Sequence, residues 1–469
     1  MIADLQAEVA AMKSQLAAKE SRIAEQDSEI AELKRRLALD SSNSSKPPAS
    51  DSPFRKPVPR SQRGTSGRVP GGQVGHEGTN LEPVANPDHV IEHRPAACAG
   101  CGIALADGDP TVGFSRSQVF DLPDPRLTVT EHRMLKVRCT CGRTTRAADP
   151  DGVNAPTQYG PGVHALAVYQ LVQQHVPSLR AALGAADLHG AGLSEGFVQA
   201  ALVRAAARLT PFGEHVVALL QSADVAHFDE SGIRAAASLH WVHVACTDRL
   251  TWYKAHPKRG KAAMADAGVL PHFTGTLVTD AFSSYLKYGT ARALCNAHIL
   301  RDLDGVHHTD PNGQTWAKAA HDALTAGNNA AHTARQAGRT ALAHDEIRAL
   351  EEQFDHAVRC GRSANPDPPP GQKKIFARQL ADRLQRRRGD ILRFLHDLNV
   401  PFTNNQAEQD IRMAKVQMKV SGGWRTLDGA NRWLLVRSYL STARKHGLNP
   451  MTVLRDLFAG EPWLPPLPA

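Results

Sequence analysis

The sequence predicts a multidomain α/β protein. An N-terminal coiled coil, a small cysteine-bearing domain and a helical segment precede an α/β domain that is interrupted by a helical insertion. Three observations predict this order. Apolar residues recur every seven positions over 1–39; two close cysteine pairs flank a strand-rich stretch; and near residue 224 the hydrophobic period changes from helical to alternating. At 469 residues the chain also exceeds what one core usually serves.

In the first segment, 1–39, one heptad position reads Ile2, Val9, Leu16, Ile23, Ile30, Leu37 and the other Leu5, Met12, Lys19, Gln26, Leu33. An aliphatic seam held in step over five heptads predicts a coiled coil, and therefore self-association. Lys19 and Gln26 weaken its middle and set register or partner number. The stretch 40–85 follows as a Ser-, Pro-, Gly- and Arg-rich linker that cannot bury enough apolar surface to offset its ordering entropy. Six Lys/Arg against two Asp/Glu between 41 and 80 make it basic, suited to solvation or to tracking phosphates.

The stretch 86–150 is expected to form a zinc-ribbon-like domain. Cys98-x2-Cys101 and Cys139-x-Cys141 are each followed by Gly, and the alternating stretch Arg126–Arg138 between them reads as a strand. Four thiolates on two tight turns enclose a tetrahedral Zn²⁺, a closed site that folds the domain and does no chemistry. The second pair departs from the commoner Cys-x2-Cys. Cys246, Cys295 and Cys360 read as ordinary buried thiols. The helical segment 155–215 divides into a helix from Val163 to Val176, a break at Pro177-Ser178 with Ser178 free to cap the next helix, and a third helix from Leu193-Ser194-Glu195. Such helices suit either a helix-turn-helix or plain support.

From 216 to 304 the alternation predicts strands: Val225–Asp229 ending in acids, Leu239–Cys246, Leu250–Lys254, a helix over Gly260–Ala267, then Gly275–Asp280. Three hairpin-linked strands, a helix and a parallel strand open an RNase H-like sheet, in which acids at the ends of the first and fourth strands lie side by side. The stretch 305–395 reads as a helical insertion, with eight Lys/Arg against two Asp over 371–393. That run suits either a DNA-facing surface or a solvated helix face. The sheet domain resumes over 396–446, and 447–469 is a C-terminal tail. Glu408 stands three residues after Asn405, so a capping box accounts for it without chemistry. Yet Glu408, Arg412, Lys415 and Lys419 share one helical face, which suits a metal ligand backed by phosphate contacts. On pattern alone Asp224 and Glu230 remain alternatives to Asp229.

The ordered motifs resemble the insertion-sequence-66 family of bacterial DDE transposases. They run from the heptads through Ser41-Ser-Asn-Ser-Ser-Lys-Pro-Pro48, Gly71–Gly78 and the cysteine pairs to Phe228-Asp229-Glu230-Ser231-Gly232, Thr279-Asp280-Ala281-Phe282, Cys295-Asn-Ala-His298-Ile-Leu-Arg301, Asn404-Asn405-Gln-Ala-Glu408 and Ala443–Pro450. The resemblance implies that Asp229, Asp280 and Glu408, which lie far apart in the chain, are catalytic acids binding Mg²⁺ or Mn²⁺. Ser231 stands where the family commonly has Thr, and the stretch around His298 also departs from its usual form. His298 and Arg301 are not counted as catalytic.

The implied activity is metal-dependent cleavage at the ends of a mobile element followed by strand transfer into target DNA. Two hard cations roughly 4 Å apart activate the attacking oxygen and stabilise the leaving one. Arg412, Lys415 and Lys419 would steady the strand. Accessory proteins of the same element are an implied partner class. A formal charge of +8 agrees with a polyanionic partner. No apolar run is long enough to argue for a membrane span, so a cytoplasmic, nucleoid-associated protein is expected. Two rival readings exist. A non-catalytic zinc-ribbon/helix-turn-helix regulator explains 1–215 and leaves the rest idle. An inactive transposase remnant is opposed by the presence of all three acids.

Overall fold

In the computed structural model the described residues are 81–467, apart from 124 and 289–290, with scattered positions between 12 and 33. Of the predicted coiled coil, Met12, Leu16, Ile23, Ile30 and Leu33 are helical and exposed. Its other apolar positions, and the basic linker as far as residue 80, lie outside the described residues. The chain separates into two units, Arg60–Thr128 and the remainder.

Within the first unit Cys98 and Cys101 sit on a tight knuckle. Cys98 N–H donates to Ile103 O at 2.9 Å, Gly102 N–H returns to Cys98 O at 2.9 Å, and Gly102 takes φ +76°. A left-handed residue closes this turn, which is why glycine follows the pair.

In the second unit the chain from Val129 enters a hairpin, β1 (Lys136–Arg138) and β2 (Thr144–Arg146), whose turn carries Cys139 and Cys141. Cys139 N–H donates to Arg143 O at 2.8 Å and Gly142 N–H to Cys139 O at 2.9 Å. The expected strand Arg126–Arg138 is therefore short. Positions 126–134 have no strand partner among the described residues, and alternation without a partner does not make a ladder.

Four helices follow: α1 (Pro161–Val168), α2 (Ser178–His189), α3 (Glu195–Arg208) and α4 (Thr210–Gln221). The single helix expected to Val176 instead widens into a π-turn over Tyr169–Gln173. Tertiary bonds compete with the helical ladder there. The Trp433 indole donates to Leu171 O at 3.4 Å, and Arg437 donates to Val172 O at 3.4 Å and to Gln173 at 3.2 Å. Ser178 does not cap α2, since Pro177 holds the cap position and the Ser178 hydroxyl accepts from Gln199. Ser194 does cap α3, accepting from Phe197 N–H at 3.0 Å.

The sheet runs in the order β5-β4-β3-β6-β7. Its strands are β3 (Val225–Ala235), β4 (Ser238–Cys246), β5 (Thr251–His256), β6 (Thr276–Thr279) and β7 (Ala291–Leu294), with α5 (Lys261–Asp266) between β5 and β6. β3, β4 and β5 are antiparallel neighbours, and β6 and β7 continue parallel to β3. Every residue of β6 is buried, because both faces of the sheet are covered. Leu277 enters the core formed with α1–α4. Its neighbour Val278 points the other way, into a second core with α6 (Asn296–Thr309), α7 (Thr315–Gln336), α8 (His344–Ala364), α9 (Phe376–Arg386) and the short α10 (Arg388–Ile391) and α11 (Arg393–His396). Helices α12 (Asn405–Ser421) and α13 (Leu427–Lys445) return to the sheet. The segment expected to be a tail carries α14 (Pro450–Ala459), whose Val453, Leu454 and Leu457 are buried in the first core.

Gly275 brings β6 against the start of β3. A Cβ there would stand 2.2 Å from Ala223 O and 2.5 Å from Asp224 O. Backbone cannot rotate away as a side chain can, so Gly275→Ala is expected to lower stability by about 1–3 kcal/mol in urea melts. Acid sensitivity is also expected. Burial is the main effect holding the imidazoles of His164 and His243 down at about 4, with neighbouring cations adding to it. Below the ordinary value near 6.5 the unfolded chain takes protons that the folded chain refuses, so stability falls between about pH 6.5 and 4. Urea midpoints across that range should show the decline, with a shallower slope in His243→Gln.

Candidate active site

Register places the first two acids. The last parallel pair of β3 and β6 is His227 with Val278, so two residues further along each strand direction Asp229 and Asp280 come opposite one another. Asp229 is not at a strand end as expected. β3 continues to Ala235 because β4 pairs with it throughout, while its parallel neighbour β6 stops at Thr279. Asp280, freed from the ladder, accepts Phe282 N–H at 2.9 Å, and Asp229 accepts Glu230 N–H at 2.8 Å.

Glu408 arrives on the first turn of α12. That helix buries Ala407, Ile411, Ala414 and Gln417 at helical spacing and packs on β3 and β4. Its start is tied down by Asn404, which is 1% exposed. The Asn404 amide nitrogen donates to Phe228 O at 2.8 Å, its Oδ1 meets His227 Nδ1 at 2.9 Å, and its N–H donates to Cys295 Sγ at 3.2 Å. The capping-box explanation of Glu408 therefore fails. Asn404, not Asn405, is the cap residue, and its side chain faces β3 rather than the helix. Glu408 Oε1 is buried with no hydrogen-bond partner, and His298 Nδ1, also buried and unpartnered, lies 4.0 Å away.

Asp229 is the acid whose surroundings are most adverse to its charge. Desolvation first, then the charges of Glu230, Asp280 and Glu408, push the Asp229 carboxyl up to about 8. Glu230 does a different job. Period-two alternation turns it to the other face, where it accepts from Arg259 at 2.8 Å and from the Tyr285 hydroxyl. Arg259 lies 4.0 Å over the Phe282 ring centroid and 4.8 Å over that of Trp241. With both oxygens engaged, Glu230 is the weaker candidate for binding a cation. Asp224 is exposed at the edge of β3.

Arg412, Lys415 and Lys419 are exposed on one face of α12, with no ion pair to any described residue. The basic run 371–393 is different. Lys374 and Arg378 bind Asp367 and Asp382, Arg383 binds Asp302, Arg387 binds Asp390, and Arg388 binds Glu351 and Asp355. Five of the eight cations in that run are thus paired with acids of this chain. Cys98, Cys101, Cys139 and Cys141 are free thiols, each pair on its own knuckle. Backbone N–H groups hold the Cys98 and Cys139 thiols below their ordinary value, the Cys101 N–H leading for the first and the Cys141 N–H for the second. Cys360, expected to be buried, is exposed, whereas Cys246 and Cys295 are buried.

Sequence reasoning missed Asn404, Tyr285 and Arg259 as supports of the site. It also passed over the pairing of Cys295 with His298. The signal for the last was available, as a Cys-x2-His spacing at the start of α6.

Comparison with known proteins adds three family matches. The model described as the Transposase IS66 family matches residues 156–432, more than half of the chain. The one described as the zinc-finger binding domain of transposase IS66 matches 95–142, a span holding all four paired cysteines. A family of unknown function matches 1–82. An uncharacterized protein of Sinorhizobium fredii (strain NBRC 101917 / NGR234), y4jO, is 28% identical over 127 residues, covering 24% of this chain and 40% of its own length. The chain thus spans well under two thirds of that relative.

Proposed function

The chain belongs to the IS66 transposase family, and on that premise we propose that it cleaves and joins DNA strands through Asp229, Asp280 and Glu408. One observation carries this reading. No Lys or Arg is bonded to Asp229, Asp280 or Glu408 among the described residues; Asp229 is raised to about 8 by burial and by the charges of Glu230, Asp280 and Glu408, and Glu408 Oε1 is buried without a partner. An all-oxygen set of this kind fits hard divalent ions, Mg²⁺ or Mn²⁺. Two such ions supply activation of the attacking oxygen and neutralisation of the leaving one.

The protein's own contribution is to hold and orient. Parallel register sets Asp229 beside Asp280, Asn404 sets Glu408 against β3, and Glu230 with Tyr285 and Arg259 braces the opposite side of the strand. Arg412, Lys415 and Lys419 extend behind Glu408 as phosphate contacts. Three antiparallel strands followed by two parallel ones support an RNase H-like domain over 216–304 and 396–446, with 305–395 as its insertion.

Two further assignments belong to this reading. Cys98, Cys101, Cys139 and Cys141 are proposed as Zn²⁺ ligands of the matched finger, supported by both pairs falling inside 95–142. The heptads of 1–39 are proposed to join protomers, so that two DNA ends are handled together. The described residues contain no helix long and apolar enough to cross a membrane.

Full-length protein is expected to nick labelled element-end DNA in Mg²⁺. Glu408→Gln should lower the rate by about 10²-fold or more while leaving binding in place. Tight binding to those ends without any wild-type cleavage would favour the regulator reading.

A further inference from the structure

We infer that Cys295, His298 and Glu408 form a second cation site, selective for a zinc-class ion over magnesium, which shares Glu408 with the acid cluster. Cys295 Sγ, a ring nitrogen of His298 and a Glu408 carboxylate oxygen all lie within 4.8 Å of one another. Sulfur, nitrogen and oxygen together are the donors of borderline ions, and Mg²⁺ does not take thiolate. The spacing Cys295-x2-His298 puts two ligands on one helical turn, and Glu408 comes from the first turn of a different helix. Three protein ligands with a fourth position open is the arrangement of an exchangeable zinc site rather than a closed one.

Two atoms need such an occupant. His298 Nδ1 and Glu408 Oε1 are both buried, both lack a hydrogen-bond partner, and face each other at 4.0 Å. That separation is too long for a hydrogen bond. A tetrahedral ion with bonds of about 2.0–2.3 Å holds its ligands roughly 3.3–3.8 Å apart, so each donor need shift by less than about 1 Å. Burial pushes the free Cys295 thiol up to about 11, a cost that a bound cation offsets. Donors are already aimed at the sulfur, since the N–H of Asn404 points at it at 3.2 Å and those of Ala297 and His298 also bond to it. Bonds of this kind orient a ligand and remain when the metal binds.

An ion held here takes Glu408 away from the acid cluster. Zinc-class cations therefore oppose magnesium at this centre and hold the enzyme in an off state. This consequence rests on the catalytic reading of Glu408; the site itself does not.

Cobalt(II) is the probe, titrated into full-length protein purified with zinc in its finger. Thiolate-bound cobalt gives a sulfur-to-metal charge-transfer band, and any signal from the finger is common to every variant and cancels in the difference. Wild type is expected to take up cobalt with that band, and Cys295→Ser and His298→Ala to lose it or to need at least tenfold more metal. Asp229→Ala should keep it. A difference spectrum of zero between wild type and both variants overturns the site, as does loss of the band in Asp229→Ala, which would mean that Asp229 helps to hold the same ion and that no separate site exists. Circular dichroism checks each fold, and His298→Ala carries the test if Cys295→Ser does not fold. Failure of the catalytic reading is read separately, as Mg²⁺-dependent nicking that survives in Asp229→Ala.

Discussion

Asp229→Asn should abolish Mg²⁺-dependent strand cleavage, by at least about 10³-fold, while making the metal-free protein no less stable than wild type. The two effects have one cause. Asp229 lies beside Asp280 and within the field of Glu230 and Glu408, and desolvation adds to the cost of its charge. Gathering like charges in a partly buried place is unfavourable for folding and useful only when a cation arrives. Asparagine keeps the shape and removes the cost of either charging or protonating a carboxyl there, so the thermal midpoint without divalent ions should hold or rise. In wild type, saturating Mg²⁺ should raise that midpoint by binding the folded state, and in Asp229→Asn the rise should shrink or vanish. A variant that loses cleavage and also melts several degrees lower would assign Asp229 to structure instead.

Asn404→Ala should have the second-largest effect, through position rather than chemistry. The side chain bonds Phe228 O and His227 Nδ1 from a place with 1% exposure. Alanine leaves both groups buried and unpaired, at a cost of about 2–4 kcal/mol together. It also frees the start of α12, and with it Glu408. Misplacing a reacting group by about 1 Å costs on the order of 10² in rate, so cleavage should fall in protein that remains folded. Nicking per folded molecule, measured well below the melting midpoint, separates the two losses. Unchanged cleavage by folded Asn404→Ala would mean that packing of Ala407, Ile411 and Ala414 alone positions Glu408.

Much of the α/β architecture was legible because it is written locally. Alternation located β4, β5 and β6 to within a few residues, Gly260 and Ser194 marked helix starts, and glycine after each cysteine pair marked the knuckles. The misreadings have long-range causes. Val163–Val176 has a helical pattern, but bonds from Trp433 and Arg437, far along the chain, open it into a π-turn. The basic run of 371–393 invites a DNA-facing reading, yet acids from Asp302 to Asp390 engage most of it. Charge counted along a chain does not reveal what sits across from it.

By itself the sequence determined which residues alternate, where glycine and proline break the chain, and which side chains have the chemistry to hold a cation. Only the tertiary structure decided which of them meet. Whether Asp229 or Glu230 faces Asp280 depends on the register of β3 against β6, and a shift of one residue would exchange them. Glu408, more than a hundred residues further along the chain, is held against the sheet because Asn404 anchors the start of α12 to β3. The physical reason is that periodicity specifies a face, whereas a partner is chosen by long-range pairing and burial.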